Sequence, residues 1–230
     1  ILVLLPGMDG TGVLFAPLLG ELDPRISPWV VPYPADEPLS YDELLPLVRR
    51  ALPSEEPFFL LAESFSGPLA IRFAAEGPGN LRGLILVSTF IRNPVPWLPS
   101  WTRHFAIPPF FRFARRFILV KALLSGYGNR DMTALLDAAH SQVTPEVMAK
   151  RAKEILGVKV KRELKMVKSP VYYLGGENDR VVPKKNMREI VATHPDVRTR
   201  IIRGPHLVLQ VNPRGAAIEI ARILLRRDNR

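Results

Sequence analysis

The sequence has no cysteine and no apolar run that approaches the roughly 18 residues of a membrane span. The first absence excludes disulfides, thiolate nucleophiles and cysteine-based metal sites. The 230 residues are nevertheless 47% hydrophobic, which is enough for one sizeable core in a globular chain. We therefore expect a globular protein, and the cytoplasm is the default compartment because the composition leaves the compartment open. Because the first residue is Ile1 rather than Met, the presence of an export signal upstream stays an open question.

Acidic side chains are also few relative to basic ones. The chain carries 22 Asp and Glu against 32 Lys and Arg, a formal charge of +10. Such a charge favours a negatively charged partner, for example anionic lipid, nucleic acid or an acidic substrate, while solubility alone is the simpler interpretation. We expect no nucleic-acid partner, because the sequence contains no motif of a known nucleic-acid-binding module. The sequence leaves the oligomeric state open.

Short apolar runs alternate with helical patterns, which is typical of an α/β sheet with mostly parallel strands and helices on its faces. The predicted strands are 1–5, 29–33, 58–62, 81–89, 171–176 and 198–204, and the predicted helices are 13–22, 40–52, 67–77, 183–193 and 213–227. The alternation stops between 91 and 168, where a proline- and aromatic-rich stretch precedes helical patterns. We therefore expect an α/β core of residues 1–90 and 169–230, interrupted by a helical cap or lid of residues 91–168.

Ser64 comes where a buried strand is predicted to end, in the stretch "FFLLAESFSG". Ala62 and Ser66, two positions before and after it, are small, and Gly67 leaves further room. A serine on a sharp strand-to-helix turn needs such neighbours, because strand and helix approach closely there. The turn would expose the hydroxyl as a nucleophile, and the N–H of Phe65 at the helix N-terminus would suit a developing oxyanion. Alternatively, Ser64 is only the N-cap of that helix.

A glycine-rich loop, "PGMDGTG" (6–12), follows the first predicted strand. In hydrolases with a serine elbow, such a loop supplies the second backbone N–H for the oxyanion, and Met8 is the best candidate here. A phosphate-binding loop is disfavoured because no Gly-Lys-Ser/Thr follows, and a simple tight turn is the other alternative. We expect the carboxylate of Asp9 to turn away and to bind the loop backbone, because it would repel an oxyanion.

Two further polar residues follow predicted strands. Asp179 lies a few residues beyond the strand 171–176, where a carboxylate can orient an imidazole. Glu177 is the rival acid, and a turn or N-cap role is the alternative for Asp179. Of the four histidines, His206 is the one that follows a strand at this edge, although a lone histidine is more often structural. Because open α/β sheets place their sites at the carboxyl ends of strands, we predict that Ser64, Asp179 and His206 meet there.

The chain resembles the α/β-hydrolase superfamily in four motifs between positions 4 and 210, which are "LLPGMDGTG", "AESFSGP", "GGENDRVVP" and "GPHLVLQ". The sequences of the first two motifs are most similar to those of an esterase, lipase and thioesterase group that also contains acyltransferases. The sequence departs from the family pattern in two places. Pro6-Gly7 stands where His-Gly is usual before the oxyanion residue, and Ala62 and Ser66 replace the glycines that usually flank the elbow.

The resemblance implies a serine hydrolase that cleaves carboxylic esters through an acyl-enzyme, with an inserted cap. Ser64 would be the nucleophile, His206 the base and Asp179 the acid that orients it. The N–H groups of Met8 and Phe65 would bind the oxyanion. The substrate would be a small-molecule ester with an apolar acyl group, and the reaction would need no cofactor and no metal. The same residues leave open an acyltransferase, a thioesterase or a non-catalytic ligand-binding homologue.

The predicted cap has a strong charge bias, because residues 91–130 contain seven basic residues and no acidic one. The helical pattern over 109–124 places basic side chains on one face and apolar side chains on another. The basic ones are Arg112, Arg115 and Arg116, and the apolar ones are Phe110, Phe113, Phe117 and Leu124. We favour a lid helix over the cleft, with an interfacial helix on anionic lipid as the alternative. The candidates for the lining of an apolar acyl pocket are Trp97, Trp101 and Phe105.

Overall fold

A computed structural model describes residues 1–94 and 123–225 of the chain. Its strands are β1 (Leu2–Leu5), β2 (Pro28–Val30), β3 (Phe58–Glu63), β4 (Leu81–Val87), β5 (Val171–Gly176) and β6 (Arg198–Ile202). Within the described residues these six strands form one sheet in the order β2-β1-β3-β4-β5-β6, and every neighbouring pair is parallel. The predicted α/β class with a parallel sheet is confirmed.

Helices cover both faces of this sheet. They are α1 (Ala16–Leu19), which follows a 3₁₀ turn at Val13–Phe15, then α2 (Tyr41–Ala51), α3 (Ser66–Ala75), α4 (Arg130–Ser141), α5 (Pro145–Gly157), α6 (Lys161–Met166), α7 (Lys184–Thr193), α8 (Val208–Val211) and α9 (Pro213–Leu224). Along β1, Val3 and Leu5 belong to one core cluster, whereas Leu2 and Leu4 belong to the cluster on the opposite face. A strand buried on both sides reads as a continuous apolar run, which explains the sequence "LVLL".

The carboxyl ends of the strands are in register at one edge of the sheet. Glu63 at the end of β3 pairs with Val87 at the end of β4, and Gly176 at the end of β5 pairs with Ile202 at the end of β6. The segments that follow these strands therefore begin next to one another. This edge is where the sequence predicts the polar residues to meet.

Local sequence signals account for several helix boundaries. A capping box starts α2, within the predicted helix 40–52, because the Ser40 side chain accepts from the N–H of Glu43 and the Glu43 carboxylate accepts from the N–H of Ser40 at 2.7 Å. The predicted helix 13–22 is wrong in extent, since only a 3₁₀ turn and the single turn α1 form. Pro17 fits only the first turn of a helix, and Gly20 caps its end.

Two other elements differ from the prediction. The predicted strand 29–33 ends at Val30, because Pro32 has no N–H to continue the ladder and the N–H of Tyr33 donates to the carbonyl of Gly10 instead, at 2.8 Å. The short helix α8 was not predicted. It begins two residues after His206 and leads into α9, and its residues Val208 and Leu209 are fully buried.

Between β4 and β5 the chain leaves the sheet, and the described part of this segment contains α4, α5 and α6. The predicted lid helix, its arginines and the proposed pocket residues Trp97, Trp101 and Phe105 lie outside the described residues. The division into a core and a cap at residues 91–168 stays a prediction. Among the residues that the structure describes, no helix combines the length and the apolar composition needed to cross a membrane.

Candidate active site

Ser64 lies on a strained turn between β3 and α3. Its φ of 49° is in the left-handed region, which costs a non-glycine residue about 1–3 kcal/mol. Three hydrogen bonds hold this conformation. The N–H of Ser64 donates to the carbonyl of Val87 at 2.8 Å, and the carbonyl of Ser64 accepts from the N–H of Gly67 at 3.1 Å and from the hydroxyl of Thr89 at 2.5 Å. The surrounding strands and helix therefore impose the turn on Ser64.

The space around this turn is tightest at Gly67. Ala62 and Ser66, the small residues predicted to provide room, are fully buried. A Cβ on Gly67, however, would lie 2.0 Å from Oγ1 of Thr89, a separation that real Cβ atoms do not show. The strictest steric demand therefore falls on Gly67, which the sequence indicated only as further room. A larger residue there would displace Thr89, whose hydroxyl holds the carbonyl of Ser64.

The hydroxyl of Ser64 contacts a buried histidine. Nε2 of His206 lies 3.0 Å from Oγ of Ser64, and Nδ1 of the same ring lies 2.9 Å from Oδ2 of Asp179. With an Nδ1–H that donates to the carboxylate, Nε2 carries the lone pair and can accept the serine proton. The interpretation of Ser64 as a helix N-cap is wrong, because α3 has no side-chain capping bond.

Asp179 is fixed by the backbone beyond β5. Its Oδ1 accepts from the N–H groups of Val181 and Val182 at 2.9 and 2.8 Å, which leaves Oδ2 for His206. The predicted turn role and the contact with the imidazole therefore coexist. The N-cap role is wrong, because α7 has no side-chain capping bond. The rival acid Glu177 is exposed, and the Nδ1 of His206 bonds to Asp179.

The other histidines lie elsewhere. Nε2 of His194 contacts the carbonyl of Val167 at 3.2 Å, and His140 is buried on α4. His104 lies outside the described residues. His206 is therefore the histidine that the described part of the chain brings to Ser64.

Two backbone N–H groups are available as candidate oxyanion donors. Within the described ranges, the N–H groups of Met8 and Phe65 donate to no protein acceptor. The glycine loop forms a turn in which the N–H of Gly10 donates to the carbonyl of Gly7 at 3.1 Å, and this bond fixes the peptide plane that carries the Met8 N–H. An oxyanion site requires backbone donors of this kind, which are not already used by another acceptor.

A buried hydroxyl network joins the glycine loop to the serine turn. The Ser66 hydroxyl donates to the carbonyl of Pro6, and the Tyr33 hydroxyl lies 2.5 Å from Oγ of Ser66. The Tyr41 hydroxyl donates to the carbonyl of Phe65 at 2.7 Å. A serine at position 66, where the family usually has glycine, therefore has a structural role that glycine lacks, since it bonds the loop to the elbow.

The carboxylate of Asp9 is occupied within its own loop. Its Oδ2 accepts from the N–H and the hydroxyl of Thr11 at 2.9 and 2.6 Å. The expectation that Asp9 binds the loop backbone is confirmed. This arrangement partly neutralises a charge that would otherwise oppose an oxyanion.

A second buried carboxyl, Glu63, was missed in the sequence. It directly precedes Ser64, is 1% exposed and has both oxygens 3.1 Å from Nε2 of Gln210. Burial raises the pKa of Glu63 to about 7, although the Gln210 bond and the charge of His206 oppose this shift. The available signal was the position of Glu63 directly after the predicted buried strand 58–62, because a carboxyl there has little access to water.

The pKa of His206 reflects the same cluster of charges. Burial lowers the pKa of the imidazole, but Asp179, through its charge and hydrogen bond, and Glu63 together raise it above its usual value. The cationic ring is thus favoured by two carboxyl groups. A base that must briefly hold a proton benefits from this environment.

We expect Glu63→Gln to remove a pH dependence of stability. The pKa of about 7 in the folded protein exceeds the ordinary glutamate value of 4.5, so neutral Glu63 favours the fold below about pH 4.5 and this contribution is lost as the pH rises to about 7. The loss is on the order of 3 kcal/mol of unfolding free energy. Chemical denaturation at pH 5 and pH 8 should show a smaller pH difference in Glu63→Gln than in the wild type. Glu55→Gln, at an exposed site, is the control and should behave as the wild type. Equal pH differences in all three proteins would contradict the shifted pKa.

Comparison with known proteins gives a consistent fold and chemistry. A family model described as serine aminopeptidase, S33, matches residues 41–207. A pimeloyl-[acyl-carrier protein] methyl ester esterase of Xanthomonas oryzae pv. oryzae is 26% identical over 220 residues, which cover 88% of this chain and 86% of the relative. The protein of the same name from Xylella fastidiosa (strain M12) is 24% identical over 224 residues, which cover 87% of this chain and 84% of the relative.

Solved structures share the fold at low sequence identity. The enol-lactonase from Burkholderia xenovorans LB400 superimposes with a TM-score of 0.82 at 15% identity, covering 98% of this chain and 91% of that one. An alpha/beta hydrolase enzyme from a Medee basin deep-sea metagenome library gives a TM-score of 0.76 at 12% identity, covering 100% and 90%. These likenesses, together with the parallel sheet, confirm the α/β-hydrolase fold that the motifs predicted.

Proposed function

The chain belongs to the serine aminopeptidase S33 family of α/β-hydrolases, and on this basis we propose that it is a serine hydrolase that cleaves carboxylic esters through an acyl-enzyme. Ser64 is the nucleophile, His206 the general base and Asp179 the group that orients it. The observation that carries this proposal is the pair of hydrogen bonds made by His206, 3.0 Å to Ser64 Oγ and 2.9 Å to Asp179 Oδ2. A serine hydroxyl becomes a useful nucleophile when a base in hydrogen-bond reach, itself held by a third group, removes its proton.

In the acylation step, Oγ of Ser64 bonds to the carbonyl carbon of the ester while its proton passes to Nε2 of His206. The carbonyl oxygen becomes an oxyanion, which the N–H groups of Met8 and Phe65 stabilise. Each donor of this kind contributes about 10²–10³ in kcat. The carbon–oxygen bond to the alcohol then breaks, and His206 returns its proton to the departing alkoxide. The acid part stays bound to Ser64 as an ester.

In the deacylation step, a water molecule repeats the sequence. His206 takes a proton from water, the resulting hydroxide attacks the acyl carbon, and the same two N–H groups bind the second oxyanion. The bond to Oγ breaks, Ser64 recovers its proton from His206, and the carboxylic acid leaves. Asp179 stabilises the imidazolium in both steps, which is consistent with the raised pKa of His206.

An apolar acyl group is the substrate feature that we propose. A buried apolar cluster lies between α4, the helical turn after the glycine loop and the residue after His206, and it includes Leu14, Leu136 and Leu207. Because Leu207 directly follows His206, this cluster places apolar side chains beside the proposed base, which suits an apolar acyl group. The curated relatives are named for a methyl ester on an acyl-carrier protein. We extend the proposal to esters of this type, and the formal charge of +10 would favour a carrier with a negatively charged surface.

Steady-state hydrolysis of two substrate classes tests the proposed function. We expect p-nitrophenyl esters from acetate to dodecanoate to be cleaved, with kcat/KM about tenfold or more higher for a medium chain than for acetate, since each buried methylene contributes binding. Aminoacyl p-nitroanilides should release no p-nitroaniline. Cleavage of the anilides faster than the esters would indicate a peptidase instead. Release of neither product above the background of Ser64→Ala would indicate a non-catalytic ligand-binding protein.

The acyl acceptor and the acyl donor need separate measurements. An added alcohol should not compete strongly with water, so product analysis should show more free acid than new ester. Ester formation that outruns hydrolysis would assign an acyltransferase to the same residues, and faster release from an acyl thioester would assign a thioesterase. A methyl ester on an acyl-carrier protein should be cleaved with a lower KM than the free methyl ester, and salt should reduce this difference.

A further inference from the structure

Among the residues that the structure describes, Arg151 is the largest side chain that is almost completely buried, although it carries a charge. It lies on α5, in the helical segment between β4 and β5, and is 1% exposed. Its Nη1 donates to the carbonyl oxygens of Met8 and Asp9 at 2.9 and 2.7 Å, and its Nη2 donates to the carbonyl oxygen of Pro34 at 2.8 Å. One guanidinium therefore binds three backbone carbonyls, two of which belong to the glycine loop.

These bonds complete the restraint of the turn that carries the Met8 N–H. The bond from Gly10 to Gly7 fixes the peptide plane that contains this N–H. Arg151 fixes the next two planes through the carbonyls of Met8 and Asp9. With all three planes held, the Met8 N–H has little freedom to rotate away from the site.

The glycine loop is shaped to admit this guanidinium. Gly10 has a φ of 72°, and a Cβ on it would lie 2.4 Å from Nη1 of Arg151. The side chain of Met8 packs against an apolar cluster to which Val147 and Met148 of α5 belong. The loop and the helix therefore fit each other through both a backbone contact and a side-chain contact.

Arg151 also contacts the second candidate oxyanion residue. Its guanidinium carbon lies 5.9 Å from the ring centre of Phe65 and 5.6 Å from that of Tyr33. Phe65 in turn stacks on Tyr41 at a ring-centre distance of 4.7 Å. One side chain thus contacts both segments that carry the candidate oxyanion donors.

Packing alone does not account for a charge in this place. Among the described residues, no carboxylate forms an ion pair with Arg151 within 4.0 Å, although the charge of Asp9 acts on it, and an apolar side chain of similar length would avoid the desolvation of the guanidinium. We propose that Arg151 is a positioning residue that holds the Met8 and Phe65 segments in the geometry that binds the oxyanion. This inference rests on the proposed function, since it assumes that Met8 and Phe65 are the donors.

The test compares Arg151→Met and Arg151→Lys with the wild type and with Lys153→Met, which removes the same charge from the same helix. Active sites are first counted by stoichiometric reaction with a fluorophosphonate. Then kcat per active site and KM are measured for p-nitrophenyl butyrate, and the affinity is measured for a trifluoromethyl ketone that forms a tetrahedral adduct. A purely structural role would change the number of active sites or the melting temperature but not kcat per site.

We expect Arg151→Met to lower kcat per site by about 10- to 100-fold with KM within about threefold of the wild type, because oxyanion bonds strengthen in the transition state. The affinity for the trifluoromethyl ketone should fall by a similar factor. Arg151→Lys should restore part of kcat, leaving it about three- to tenfold below the wild type, since an ammonium cannot reach all three carbonyls at once. Lys153→Met should match the wild type.

Unchanged kcat per site in Arg151→Met would overturn the inference while leaving the proposed function intact. If Arg151→Met does not fold, Arg151→Lys decides, and a kcat equal to that of the wild type would overturn the inference. If the wild type shows no turnover above Ser64→Ala, both the proposed function and the inference are overturned.

Discussion

Ser64→Ala should lower kcat/KM for p-nitrophenyl butyrate by about 10⁴-fold or more, because it removes the atom that we propose attacks the ester. The substitution deletes Oγ and its bond to Nε2 of His206. It adds no atom to the crowded elbow, and alanine bears the left-handed φ of 49° no worse than serine does. The fold should therefore persist, and the melting temperature should stay within a few degrees of the wild type.

Ser88→Ala is a matched control for this experiment. Ser88 also directly follows a strand and has a positive φ of 45°, and its buried hydroxyl has no hydrogen-bond partner among the described residues. Its removal should leave kcat/KM within about threefold of the wild type, as is usual for a group outside a catalytic unit. Retention of more than a tenth of the activity in Ser64→Ala would show that another group is the nucleophile.

Asp179→Asn should lower kcat by about 10³- to 10⁴-fold with little change in stability. Oδ1 must still accept from the N–H groups of Val181 and Val182, so the new amide nitrogen takes the place of Oδ2 opposite His206. An NH₂ group cannot accept from Nδ1–H. The ring then places its proton on Nε2, where it faces the hydroxyl of Ser64 and cannot remove the serine proton.

Glu177→Gln separates this effect from a general loss of negative charge. Glu177 is the other acid beyond β5, is exposed, and loses the same charge when it becomes an amide. We expect it to keep near-wild-type kcat at pH 8, as surface substitutions usually do. A loss of less than tenfold in Asp179→Asn, or an equal loss in Glu177→Gln, would contradict the assigned roles.

The sequence predicted the placement of the site because the relevant information is local. Each of Ser64, Asp179 and His206 follows a strand pattern, and parallel strands bring their carboxyl ends to one edge regardless of the distance along the chain. Because the ends of β5 and β6 are paired, the segments that carry Asp179 and His206 begin side by side. At the end of β5, a Cβ on Gly176 would lie 2.0 Å from the carbonyl oxygen of Pro205, so the segment that carries His206 passes directly over a glycine.

Other features depend on contacts between distant segments and leave little trace in the sequence. Arg151 lies between Lys150 and Lys153 in a helix whose sequence is amphipathic. Nothing in that pattern distinguishes the buried cation from the two cations that are accessible to solvent. Its bond to Asp9 spans 142 positions. Glu63 resembles an ordinary strand-end residue until the helix α8 brings Gln210 against it.

The extent of the elements was less predictable than their order. Gly20 ends α1 and Pro32 ends β2. Both elements are therefore a few residues shorter at their C-terminal ends than the hydrophobic pattern predicted. Ser66 departs from the usual glycine of the elbow, and its reason became visible only through its bond to Pro6. A small residue that the sequence indicated only for its size, Ser66, thus also forms a structural hydrogen bond.

Reaction with a fluorophosphonate, followed by peptide mass mapping, tests the nucleophile most directly. We expect one phosphonyl group per chain, attached to Ser64, with the loss of ester hydrolysis proportional to labelling, and we expect no labelling of Asp179→Asn or Ser64→Ala on the same timescale. A label on a different residue, or full hydrolytic activity in a protein completely labelled at Ser64, would contradict the claim that His206 activates this hydroxyl for attack.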